Sequence, residues 1–147
     1  MKKDIHELYF TTRIDFRKWL QKNAKTSDGV WLVFGKTKEI ITLTANEALE
    51  EALCFGWIDG QMKSISGTRY VKYFTRRRTK SVWSEKNKKL VETLREKKLM
   101  TELGEKAVRT AVDNGSWNAA KPDPITEKQI GIFAEKLIEF SSITRKI

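Results

Sequence analysis

The chain has 147 residues and a formal net charge of +10, with 39% hydrophobic and 33% charged residues. Those proportions describe one folded domain, long enough to bury a core without a disulfide or metal staple. A single cysteine, Cys54, and a single histidine, His6, exclude a disulfide framework and a zinc site of the Cys/His type.

The first seven residues carry two lysines with no apolar run behind them, so no secretory signal is expected. No apolar stretch is long enough to span a bilayer, and the expected location is cytoplasmic. Thr12, with Asp15 three residues on, opens a helix over 13–23 whose apolar face is Phe16, Trp19 and Leu20. Residues 30–34 are β-rich and apolar on both faces, which predicts a central strand. Thr44 and Glu47 make a capping box for a second helix, with Ala45, Leu49, Ala52 and Leu53 inward and Gly56 as its stop. Strands are expected at 57–59, 62–66 and 69–75, the last two forming a hairpin around Gly67. Ser84 opens a helix over 85–97 on Leu90, Val91 and Leu94. Thr101 opens another, with Leu103, Ala107, Val108, Ala111 and Val112 inward and Asn114-Gly115 as the stop. Lys121-Pro122-Asp123-Pro124 reads as a linker, and Thr126 opens a last amphipathic helix on Ile130, Phe133, Leu137 and Ile138.

The pattern predicts an α+β fold: a small, mostly antiparallel sheet with segregated helices in 1–120, followed by a linker and a helical part in 121–147. The charge is not spread over it. Residues 61–100 hold thirteen Lys/Arg and three Asp/Glu, while the rest of the chain balances at zero. So concentrated a block is the footprint of an anionic partner, or else a solvated face.

Within that block, residues 69–83 interleave basic and aromatic side chains. Strand alternation places Tyr70, Lys72, Phe74 and Arg76 on one face and Arg69, Val71, Tyr73 and Thr75 on the other. Rings beside cations suit single-stranded nucleic acid, with bases on the rings and phosphates on the cations. The alternative is that the rings are core and the cations snorkel outward. Arg76, Arg77, Arg78 and Lys80 make a loop too charged to bury unpaired. Ser84 is either an ordinary helix cap or, with the amides after it, a weak phosphate point. Asp59 stands in an otherwise apolar or small stretch, 54–61, and should be partly buried with an arginine partner, Arg69 being one candidate. It reads as an acid/base or ligand anchor, or as a turn or salt-bridge residue. Cys54 reads as a small core residue. No phosphate-binding glycine loop, nucleophile elbow or zinc-protease motif occurs, and no catalytic residue, metal or cofactor is expected. The candidate contact set is Trp57, Asp59, Arg69, Tyr70, Lys72, Arg76, Arg77, Arg78, Lys80 and Trp83.

Residues 47–61, Glu-Ala-Leu-Glu-Glu-Ala-Leu-Cys-Phe-Gly-Trp-Ile-Asp-Gly-Gln, resemble the central motif of the bacterial YdeI/OmpD-associated, bacteriocin-protection family. Thr26-Ser27-Asp28-Gly29-Val30-Trp31-Leu32 before it agrees. So do Thr68-Arg69-Tyr70, Phe74-Thr75-Arg76-Arg77, Lys80-Ser81-Val82-Trp83-Ser84 with Asn87, Leu99-Met100-Thr101 and Gly115-Ser116-Trp117 after it. The resemblance covers 10–120 and weakens past Pro122. Where that family has Phe-Thr-Pro-Arg and a second proline before the serine, Arg76 and Thr79 stand here, which loosens the loop and adds charge. The resemblance implies a role in envelope defence against bacteriocins or cationic antimicrobial peptides and association with an outer-membrane porin. It implies no established reaction.

Three functional readings follow. The chain is a binding protein that holds nucleic acid or a small phosphorylated anion on its basic, aromatic hairpin and loop. Alternatively it is an enzyme on a small anionic substrate, with Asp59 as acid/base and Arg69 or Lys72 as clamp. In the third, it is an interaction subunit whose last helix docks on a partner or on a second copy.

Overall fold

A computed structural model of the chain describes residues 7–119. Eight elements follow one another: β1 (Glu7–Leu8), α1 (Arg13–Asn23), β2 (Val30–Gly35), α2 (Ala45–Cys54), β3 (Trp57–Ser64), β4 (Arg69–Arg76), α3 (Glu85–Glu96) and α4 (Glu102–Asn114). The fold is α+β, as the sequence predicts. The expected linker and last helix lie outside the described residues.

Each helix begins where a side-chain oxygen captures a backbone N–H that the first turn would otherwise leave unpaired. Thr12 accepts from the Asp15 amide, Ser84 from Asn87 and Thr101 from Gly104, and Thr44 with Glu47 forms the full capping box. α4 stops at Gly115, whose φ of +88° suits a residue without a Cβ.

The sheet order is β1-β2-β4-β3. β2 pairs antiparallel with β4, placing Val30 opposite Phe74 and Phe34 opposite Tyr70. β3 pairs antiparallel with β4, and β1 runs parallel to β2. Two of the expected strands are one: 57–59 and 62–66 join as β3, with a register irregularity between Asp59 and Met62. β1 is an addition, two residues long and recognisable only by its pairing.

The core lies on the sheet face that bears Val30, Leu32, Phe34, Trp57 and Phe74, packed against Phe16 and Leu20 of α1 and Ala48 and Ala52 of α2. Phe16 meets Phe74 edge-on at 5.8 Å. The buried Trp57 indole donates to the Ala24 carbonyl at 3.2 Å. The opposite face carries Trp31 and Tyr73, 5.1 Å apart, with the Lys63 ammonium 5.0 Å from the Trp31 ring. α2 is the hub, touching α1, β3, α3 and α4. α4 docks on its C-terminal end, where Thr101 donates to the Cys54 carbonyl through both its amide, at 3.1 Å, and its hydroxyl, at 2.6 Å. A Cβ at Gly104 would collide with that carbonyl, so glycine is what lets the helices approach. Val112, expected inward, is half exposed because the inward arc of α4 ends at Val108 and Ala111.

Candidate functional site

The contact set read from the sequence does not form one surface. Most of its strand residues lie on the core face of the sheet, Arg69 excepted. Trp57 is wholly buried, and Tyr70 is half-buried and stacked on Phe34 at 5.3 Å. Phe74, the other ring on that face, is wholly buried as well. These rings belong to the hydrophobic core and are not free to receive bases. Asp59 and Lys72 share this face and pair with each other at 3.0 Å, so the aspartate's partner is Lys72 and not Arg69. The register explains it: Asp59 stands opposite Phe74 and Lys72 opposite Met62 on the adjoining strands, whereas Arg69 lies exposed at the hairpin end opposite Gly35. Cys54 is buried, and burial pushes its thiol up.

The remaining residues gather where β4 leaves the sheet. Arg76 is exposed and donates to the Lys25 carbonyl at 2.9 Å and to Asp28 at 3.3 Å. Arg78 and Lys80 are exposed. Arg77 is different, and here the expectation of an unburied loop is corrected. Its amide donates to the Gly56 carbonyl at 3.0 Å, which pins the chain against the end of α2. Its guanidinium lies 3.8 Å from the centre of the Trp83 ring. Nη2 donates to Ser81 Oγ at 3.0 Å and to the Val82 carbonyl at 3.4 Å. Nε and Nη1 are shut off from solvent and have no hydrogen-bond partner among the described residues. Trp83 is itself 3% exposed, packed against Trp117 at 4.9 Å, so it serves as a backing for Arg77 and not as an open platform.

Arg13 and Arg17 show what a compensated arginine looks like in this fold. Arg13 donates to Glu50 and Glu51, both at 2.7 Å, and Arg17 to Glu51 at 2.9 Å and the Leu99 carbonyl at 2.7 Å. Burial works against both charges, yet the carboxylates hold both guanidiniums above their ordinary value. For Arg77, burial lowers the guanidinium to about 10, and only the charge of Asp59 works the other way. It therefore stays protonated at neutral pH, as a partly buried positive charge with no carboxylate bonded to it among the described residues.

Arg77 lines a cleft of about 220 Å³. One wall is the segment from Arg76 to Thr79. The other is α4, through Leu103, Lys106, Ala107, Thr110 and Ala111, with Phe55, Gly56 and Trp83 completing it. The C-terminal end of α4 holds the first wall in place, since Asn114 donates to the Thr79 carbonyl at 2.6 Å. Sequence reasoning missed Lys106 and Thr110. Their signal was the small pair Ala107 and Ala111, four apart on one face, which leaves room beside a helix that otherwise reads as core. Ser84 is an ordinary cap, accepting from the Asn87 amide at 3.1 Å. No group of three or more His, Cys, Asp or Glu suited to a metal occurs among the described residues, and no helix among them is long and apolar enough to cross a membrane.

A family model described as a domain of unknown function (DUF8412) matches residues 8–107, and the chain belongs to that family. No curated protein and no solved structure matches the chain.

Proposed function

We propose that this member of the DUF8412 family is a non-catalytic binding protein that holds a small anion in the cleft between Arg76–Thr79 and α4. The supporting observation is the state of Arg77: a partly buried side chain whose Nε and Nη1 are closed to solvent and have no partner among the described residues, at the wall of a cleft that also presents Arg76, Arg78 and Lys106. An unmade bond to a buried donor costs about 1–3 kcal/mol, more for a charged group. The Trp83 contact returns ~2 kcal/mol when desolvated. Two arginines elsewhere in the same fold are bonded to carboxylates, so the open valence of Arg77 is a local feature of this cleft. A bound anion would supply the missing acceptors and the missing charge. Trp57, Phe74 and Trp83 are buried and Tyr70 is stacked on Phe34, which favours a small ligand at this end of β4 over a nucleic-acid strand. Small phosphorylated and carboxylated compounds are abundant in the cytoplasm, the location this reading gives the chain. A part in envelope defence, as the resemblance to bacteriocin-protection proteins implies, would then run through ligand binding.

The test compares thermal unfolding of the wild type and of Arg77→Met in rising inorganic phosphate. A ligand that binds only the folded state stabilises it in proportion to the logarithm of one plus its concentration over Kd, so Tm keeps rising with added ligand. The wild type should show a larger rise than the variant, whose own rise reports general salting effects. Equal rises in both proteins would remove Arg77, and this site, from the reading.

A further inference from the structure

Resting on that reading, we infer that the ligand is a phosphate monoester carrying a small apolar or aromatic body. The lining sets the charge. Arg76, Arg77, Arg78 and Lys106 bring four cations to one cleft, Arg76 being bonded also to Asp28, and among the described residues no carboxylate lines it. A monocarboxylate or a diester brings a single negative charge, whereas a monoester carries −1.5 to −2 at neutral pH and three acceptor oxygens. The oxygens have donors of more than one kind to meet: guanidinium N–H groups from the loop, the Lys106 ammonium and the Thr110 hydroxyl from α4.

The position of Arg77 argues for a terminal group. Its open donors lie behind the surface, against Trp83. A phosphoryl group at the end of a molecule can be enclosed there, while a diester must lead a chain out on both sides. Access needs the segment 77–84 to shift, and it contains neither helix nor strand. The rest of the lining accounts for the body of the ligand. Phe55, Leu103, Ala107 and Ala111 present carbon, not charge, to a cleft of about 220 Å³. Pockets of this kind take a molecule whose apolar part is buried and whose few polar atoms fix its orientation.

Phenyl phosphate, phenyl sulfate and benzoate share one body and differ in charge, so calorimetric titration of the full chain with each separates the possibilities. At pH 7.5 phenyl phosphate should bind at least about tenfold more tightly than the other two, because it alone is a dianion. At pH 5.0, below its second ionisation near pH 6, that advantage should largely disappear. The charged groups around the cleft are Arg76 with its partner Asp28, Arg77, Arg78, Lys106 from α4 and, near Arg77, the Asp59 carboxylate of β3. Phenyl sulfate does not titrate in this range and so reports any change in them. Lys106→Ala should weaken phenyl phosphate more than benzoate. Equal affinities for the three compounds, or a phenyl phosphate advantage unchanged at pH 5.0, would overturn the monoester. If none of the three binds while inorganic phosphate still raises Tm through Arg77, the monoester falls and the anion site stands. If both experiments fail, both readings fall.

Discussion

Arg13, Arg17 and Arg77 are the same residue in three electrostatic settings. The first two converge on Glu51, a carboxylate only 4% exposed, and their charges are matched where they are buried. Removing one partner of such a cluster leaves charge stranded, which typically costs 3–5 kcal/mol. Glu51→Ala should therefore lower stability by ~3 kcal/mol in denaturant unfolding, Glu50 retaining part of the Arg13 interaction. Arg77→Met should behave oppositely for its size. It removes the Ser81 and Val82 bonds and the Trp83 contact, but also an unpaired buried charge, so stability should stay within about 1 kcal/mol of wild type. The sign of the pH dependence follows from the lowered guanidinium. Between about 10 and its higher, ordinary value the unfolded chain binds more protons, so this group's contribution rises with pH there. Below pH 10 both states are protonated, the contribution is constant, and wild type and Arg77→Met should give parallel stability profiles from pH 6 to 9. A steep loss of stability in Arg77→Met would identify the arginine as a strut for the loop.

Among the elements, the helices were the most legible because their starts are written in side chains. Thr12, Thr44, Ser84 and Thr101 each cap the helix that follows them. Strand pairing was less so. β1 has two residues and exists only through its neighbour, and the break at Gly60-Gln61 is an irregularity inside β3 and not its end. Which face of β4 was buried could not be read from its alternation, since both faces carry rings. The core settles it, with Phe16 of α1 meeting Phe74 and Tyr70 joining the same cluster. The contact most relevant to the cleft is α4 on α2. Gly104→Ala should force the two apart at the Cys54 carbonyl and cost about 1–3 kcal/mol, the usual penalty of overpacking. Because α4 forms one wall of the cleft, the same change should weaken phosphate binding at temperatures where the protein remains folded.

Across the whole molecule, the excess charge of residues 61–100 is distributed over the β3–β4 hairpin, the segment after it and α3. Composition located the block and the run of arginines within it. It could not tell which of three consecutive arginines turns inward. That depends on the Arg77 amide reaching the Gly56 carbonyl and on α4 closing the far side, both contacts between distant parts of the chain, and on Trp83 folding beneath the guanidinium. The same long-range packing withdrew Trp57 and Trp83 from any ligand surface and gave Asp59 to Lys72. What remains of the expected basic, aromatic surface is Trp31 and Tyr73 beside Lys63 on the opposite sheet face and, at the end of β4, a cleft with the uncompensated charge of Arg77.

The most direct measurement observes that charge itself. In a ¹⁵N-labelled sample the Arg77 Nε–H resonance, identified by its loss in Arg77→Lys, is followed as inorganic phosphate is added. A saturable shift of this resonance is expected, with the Arg13 and Arg95 Nε–H signals, already bonded to Glu51 and Glu105, staying in place. An Arg77 resonance that does not move while the exposed Arg78 signal drifts without saturation would contradict it.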